Sequence, residues 1–176
     1  MKDLIRYVLG YIIGIFIFIF LIPYSLIELS KSDPIIKADI SSFQLIRYLI
    51  STPFFLVGLL FMIWSNISLF KIGKGGATDF FNIAVTPRTK KLVITGPYNY
   101  SRNPMVFGAF CLYFSIGLFM FSIICLLILM LFVLIVIKYL KITEEIRLYK
   151  DFGEEYIVYK NKVSMIFPVK RLREKT

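Results

Sequence analysis

From Asn103 to Ile137 the chain runs for 35 residues without one charged side chain. As a single straight helix that run would be about 52 Å long, against roughly 30 Å for the hydrocarbon core of a bilayer. It must therefore fold back as a hairpin of two spans. The reversal is expected near Phe119 to Ser122, although neither Pro nor Gly marks it there. Two further apolar runs precede it. Leu4 to Tyr24 is apolar apart from Arg6, which can snorkel to the interface. It exceeds the roughly 7–15 residues of a secretory signal core, and no small-x-small cleavage site follows. Tyr48 to Phe70 is the second. The expected fold is an all-α integral membrane domain spanning residues 1–176. It has four transmembrane helices, the last two a tight hairpin, and a C-terminal amphipathic cytoplasmic helix.

Composition narrows the chemistry. The chain is 58% hydrophobic, above the roughly 45–50% of soluble domains. It contains no histidine, which removes a His general base, a Ser-His-Asp triad and His-ligated zinc or haem. Cys111 and Cys125 both lie in apolar segments and read as small buried residues, not a disulfide framework or a metal site. The net charge is +10. The basic residues flank apolar runs, so membrane topology and anionic lipid explain them better than nucleic acid does. The loop from Lys71 to Arg102 carries net +5 and the tail from Lys138 net +4, while the loop from Glu28 to Arg47 carries net 0. With four spans, the positive-inside rule places both termini and the Lys71–Arg102 loop in the cytoplasm.

Two polar stretches stand out on that face. "TGPYNYSRNPM", residues 95–105, carries a Gly96-Pro97 turn signal. Its Asn103-Pro104 pair sets the start of the next helix, because Pro restricts the residue before it and suits a first helical turn. The free N–H groups of that turn, with Arg102 beside them, favour an anion. The plainer reading is a helix cap with an arginine reaching lipid phosphate. Gly108 permits close packing one turn later. The second stretch is Glu144-Glu145. Adjacent helical residues point about 100° apart, so one carboxylate can face the interior and the other water or Lys141. A solvated charged face is the plain alternative. Thr143 can cap this helix and Gly153 can interrupt it, with Arg147 and Asp151 as an i,i+4 pair. "GKGG" at 73–76 follows no strand and reads as a loop.

"KKLVITGPYNYSRNPMVFG" followed about 35 residues later by "TEEIRLYKDFGEEYIVYKNKV" resembles the isoprenylcysteine carboxyl methyltransferase family. That family is itself similar to membrane phospholipid methyltransferases. The resemblance covers roughly Gly73 to Pro168, and makes residues 71–168 a methyltransferase-like core behind two N-terminal spans. It implies S-adenosyl-L-methionine as cofactor. It also implies cofactor contacts at Lys90, Lys91, Leu92, Val93, Tyr98, Asn103, Pro104, Met105 and Glu144. Arg102 and Glu145 are the candidate catalytic residues, Arg102 for an anionic group and Glu145 as a base if the acceptor is an amine. The chain departs from the family at three positions. Val106 stands where Tyr is usual, Asn103 replaces the commoner His, and an acceptor-contacting arginine falls on Leu140.

A carboxylate acceptor is ionised at neutral pH and needs no base, which suits a histidine-free chain. The expected reaction is therefore O-methylation of a lipid-like or prenylated carboxylate at the membrane. N-methylation of a phospholipid amine is the alternative, with the proton going to Glu145, Tyr98 or water. A membrane reductase of similar architecture and a non-enzymatic membrane adaptor remain open from the residues alone.

Overall fold

Apolar length dictates the architecture first. In the computed structural model, which describes residues 8–9, 12–33, 43–74, 79–80, 83–84 and 89–168, three helical stretches are long and apolar enough to cross a membrane. The first, α1, is Ile12–Ser30, and the second, α2, is Gln44–Gly73. The third is Ile123–Lys162, which divides at Thr143 into α4 (Ile123–Ile142) and α5 (Glu144–Lys162). Nine charged residues in α5 place its apolar, spanning part in α4. Bare side chains such as Leu45, Leu49, Leu127 and Leu134 cover these helices, as lipid-facing surfaces require.

Between α2 and α4 lies α3 (Pro104–Phe119). Its 16 residues rise about 24 Å, short of the roughly 30 Å hydrocarbon core. Length alone therefore supports three spans and not the expected fourth. The other segments also end differently from the sequence reading. α1 continues past Tyr24 to Ser30, and α2 begins before Tyr48 and runs on past Phe70. Residues 4–7, 10 and 11 of the expected first span lie outside the described residues. The remaining elements are a two-residue antiparallel pairing of β1 (Asp79–Phe80) with β2 (Ile83–Ala84) and a 3-10 turn at Gly96–Asn99.

By internal contacts the chain forms two units. The first comprises Met1–Leu60 and Gly108–Leu134. Its core is Leu26, Tyr113, Cys125 and Leu129, and Cys111 and Cys125 are both buried and free, as their apolar surroundings imply. α2 and α3 approach closely here. A Cβ added at Gly58 would stand 2.7 Å from the Leu112 backbone nitrogen and 2.8 Å from the Gly108 carbonyl oxygen. The chain reverses at 120–122, within the expected window. Phe121 adopts φ 49 in the left-handed region, a costly conformation for a bulky residue. Asp33 compensates. Its buried carboxylate accepts from the Ser122 hydroxyl and the Ile124 N–H, both at 3.0 Å. Arg47 closes the other side, donating to the Phe119 carbonyl at 2.5 Å. A cation there offsets the negative end of α3.

The second unit comprises Phe61–Phe107 and Ile135–Thr176. Its core gathers Tyr156, Tyr159 and Val163, with Leu92, Leu148 and Phe152 packed against them. Gly96 takes φ 65 with Ser68 and Trp64 close to where a Cβ would stand, so the turn needs glycine for both shape and space. Thr143 does not cap α5. It keeps right-handed helical geometry and its hydroxyl donates to the Tyr139 carbonyl at 2.7 Å, so α4 runs into α5 almost without a break.

Candidate functional site

The site lies entirely in the second unit and is built by two stretches far apart in sequence. Pro104 starts α3, as Pro at a first helical position predicts. The residues before it are pinned from below by the segment after α5. Arg102 N–H donates to the Ser164 carbonyl at 2.9 Å, and Asn103 N–H and its Nδ2 donate to the Met165 carbonyl at 3.0 and 3.1 Å. The Tyr159 hydroxyl donates to the Tyr98 carbonyl at 2.6 Å. The polar stretch is thus held rigidly against α5.

α5 itself folds back. Gly153 sits at φ 55, ψ −129, a conformation open to glycine and strained for other residues. The sequence reading of Gly153 as an interruption holds. A straight helix would separate residues 145 and 160 by roughly 22 Å. Here Lys160 Nζ lies 2.5 Å from Glu145 Oε2.

Glu145 is the hub of a buried cluster. Its Oε1 accepts from Arg102 Nη1 at 2.6 Å, and the same Nη1 donates to the Tyr156 hydroxyl at 3.0 Å. Desolvation opposes ionisation of Glu145, but the hydrogen bond from Lys160 and the charge and hydrogen bond of Arg102 outweigh it, and its pKa is lowered. Arg102 Nε is buried without a hydrogen-bond partner.

Beside this cluster opens a cleft of about 130 Å³. Seven of the nine expected cofactor residues line it: Leu92, Val93, Tyr98, Asn103, Pro104, Met105 and Glu144. Arg102 lines it as well, and so does Val106. Lys90 and Lys91 do not. Both are exposed, and Lys90 serves through its backbone N–H, which donates to the Gly73 carbonyl at 2.9 Å. The two glutamates separate as helix geometry requires. Glu144 lines the cleft and Glu145 turns into the buried cluster. Burial pushes the Glu144 carboxyl above the ordinary range. It also pushes up the Tyr98 phenol, helped by Tyr159 and Glu144.

The sequence reading missed Arg147, Leu148, Phe152 and Tyr159, which form the α5 wall of the cleft. The i, i+4 spacing of Leu148 and Phe152 was the available signal, whereas Tyr159 arrives from beyond the reversal at Gly153. Arg147 reaches Glu144 at 3.7 Å, and desolvation lowers its pKa against the pull of Asp151. Leu140, where the isoprenylcysteine enzymes have an arginine, is buried and absent from the cleft. Among the described residues no cluster of His, Cys, Asp or Glu is placed to hold a metal ion.

The cleft offers a carboxylate, a guanidinium, hydroxyl and amide groups, and apolar walls from Leu92, Val93 and Met105. That set suits a ligand with a charged, zwitterionic end and an apolar body. No curated protein and no solved structure matches the chain. Residues 46–155, more than half of its length, match the family model for phospholipid methyltransferase, and the chain belongs to that family of membrane methyltransferases.

Proposed function

We propose that this protein transfers a methyl group from S-adenosyl-L-methionine to a membrane lipid, with a phospholipid amine as acceptor. The observation that carries the reading is the convergence of Tyr98–Met105 and Glu144 on one cleft, in a chain that belongs to the phospholipid methyltransferase family. The buried, unpartnered Arg102 Nε and the cleft-facing Glu144 fit the carboxylate and ammonium of the cofactor's amino-acid end. The enclosed volume is below the roughly 300–1,000 Å³ of small-molecule pockets, so it suits that end and not the whole cofactor. When bound, the cofactor supplies an electrophilic methyl group on a sulfonium.

The chain's own residues then do three things. Glu144 and Arg102 orient the charged end. Leu92, Val93 and Met105 give the cleft its apolar wall. Arg102 is held in place by Glu145 and Tyr156. An ammonium acceptor must shed a proton. Two cations keep Glu145 ionised but weakly basic, and burial keeps Tyr98 neutral. We assign that proton to water.

A second reading is O-methylation of a prenylated or lipid-like carboxylate, supported by the ordered resemblance of residues 73–168 to the isoprenylcysteine enzymes. For the topology we infer one membrane domain with four spans. α3 crosses as the short partner of α4, which a locally thinned bilayer accommodates at modest cost. α5 lies at the cytoplasmic surface with both termini. Membranes containing the protein, incubated with a methyl-labelled donor, test the chemistry. Label in phospholipid headgroups supports amine transfer, base-labile label in a carboxyl ester supports the second reading, and no transfer to any membrane fraction refutes both.

A further inference from the structure

We propose that Lys160 is a positioning residue that keeps Arg102 electrostatically able to hold an oxyanion in the cleft. Glu145 is shared. One carboxylate oxygen accepts from Arg102 Nη1 at 2.6 Å and the other from Lys160 Nζ at 2.5 Å. With Glu145 as its sole neighbour, Arg102 would be neutralised in a buried pair. With Lys160 on the second oxygen, the charge of Glu145 is divided between two cations, and Arg102, which lines the cleft, is neutralised less completely. Burial makes that difference count. The side chains of Arg102 and Glu145 are 4% and 9% exposed, and charges there are weakly screened. Tyr156 fixes the guanidinium by accepting from the same Nη1, and Arg102 Nε keeps its hydrogen-bonding capacity unused. Lys160 reaches the cluster only because the chain reverses at Gly153, so neither the motif around Arg102 nor the glutamate pair announces it.

The oxyanion is the carboxylate of the cofactor's amino-acid end, and this inference rests on the cofactor reading given above. S-Adenosylhomocysteine and 5′-methylthioadenosine separate the possibilities, since the second lacks the amino-acid end. Calorimetric titration of both into the detergent-solubilised full chain is compared for wild type, Lys160→Gln, Lys160→Met and Lys160→Arg. The Lys160 side chain is 43% exposed, so the fold tolerates its replacement, and Gln keeps a donor for Glu145 while removing the charge. The expected result is that Gln and Met weaken S-adenosylhomocysteine by about tenfold, equivalent to about 1.4 kcal/mol, leave methylthioadenosine unchanged, and that Arg restores binding. Equal weakening of both ligands shows a merely structural role and overturns the proposal. Unchanged S-adenosylhomocysteine affinity with a raised KM for lipid also overturns it, assigning the cation to the acceptor. A wild-type protein that binds neither ligand sinks the cofactor reading, and this inference with it.

Discussion

Lys160 and Glu145 touch at 2.5 Å although fifteen residues separate them within α5. Gly153 makes the contact possible, and its φ of 55 with ψ −129 is a conformation that L side chains rarely adopt. A Cβ there meets nothing within 4 Å, so Gly153→Ala acts through backbone strain alone. We expect a loss of about 1–3 kcal/mol, read as a lower thermal midpoint in micelles. An unchanged midpoint would show that α5 holds its reversal without glycine.

The two glutamates should fail in different ways. Glu145→Gln leaves Arg102 buried beside a neutral partner, and breaking a buried pair costs about 3–5 kcal/mol. Glu144→Gln should be mild for stability and weaken S-adenosylhomocysteine by about 10- to 150-fold, the worth of a charged hydrogen bond of roughly 1.5–3 kcal/mol. Paired denaturation and titration measurements on both variants check this. Equal effects on both readouts would contradict the division of labour.

The raised pKa of Glu144 gives a signature in pH. The cleft carboxyl is ionised only above its raised value, so cofactor affinity should fall on acidification before pH reaches the ordinary 4.5. Its effect on stability has the opposite sign. The folded state binds the extra proton between 4.5 and the raised value, so Glu144 makes the fold less stable as pH rises through that window. Glu145, with its lowered pKa, contributes stability that is present above 4.5 and lost as pH falls through its folded value. Titrations across pH should show the affinity step in wild type and not in Glu144→Gln.

Gly58 is a packing test remote from the chemistry. A methyl group there would press on the Leu112 backbone and the Gly108 carbonyl, neither of which can rotate away. Gly58→Ala should cost about 1–3 kcal/mol and leave cofactor affinity per folded molecule unchanged. A wild-type melting profile would mean that α2 and α3 can separate freely.

The inferred topology is checked with single cysteines in a Cys111→Ala, Cys125→Ala background. Lys31→Cys should label from outside intact cells and Lys90→Cys only after permeabilisation. External labelling at position 90 would reverse the orientation.

The sequence alone determined the membrane character, the hairpin and its turn window, the helix start at Pro104 and the break at Gly153. Each follows from a local cause: apolar length, the restrictions of proline, the freedom of glycine. It also brought most of the cleft into view, because Tyr98 to Met105 and Glu144 form an ordered pattern. Tertiary structure decided which glutamate faces the cleft, since a 100° difference between neighbours has no sign until α5 packs. It decided that Arg102 is spent on Glu145 and Tyr156 as well as facing the cleft. It brought in Lys160, fifteen residues from its partner, by a chain reversal that no spacing rule measures. It stabilised Phe121 in the left-handed region through Asp33, 88 positions earlier, a compensation that only a folded chain can supply.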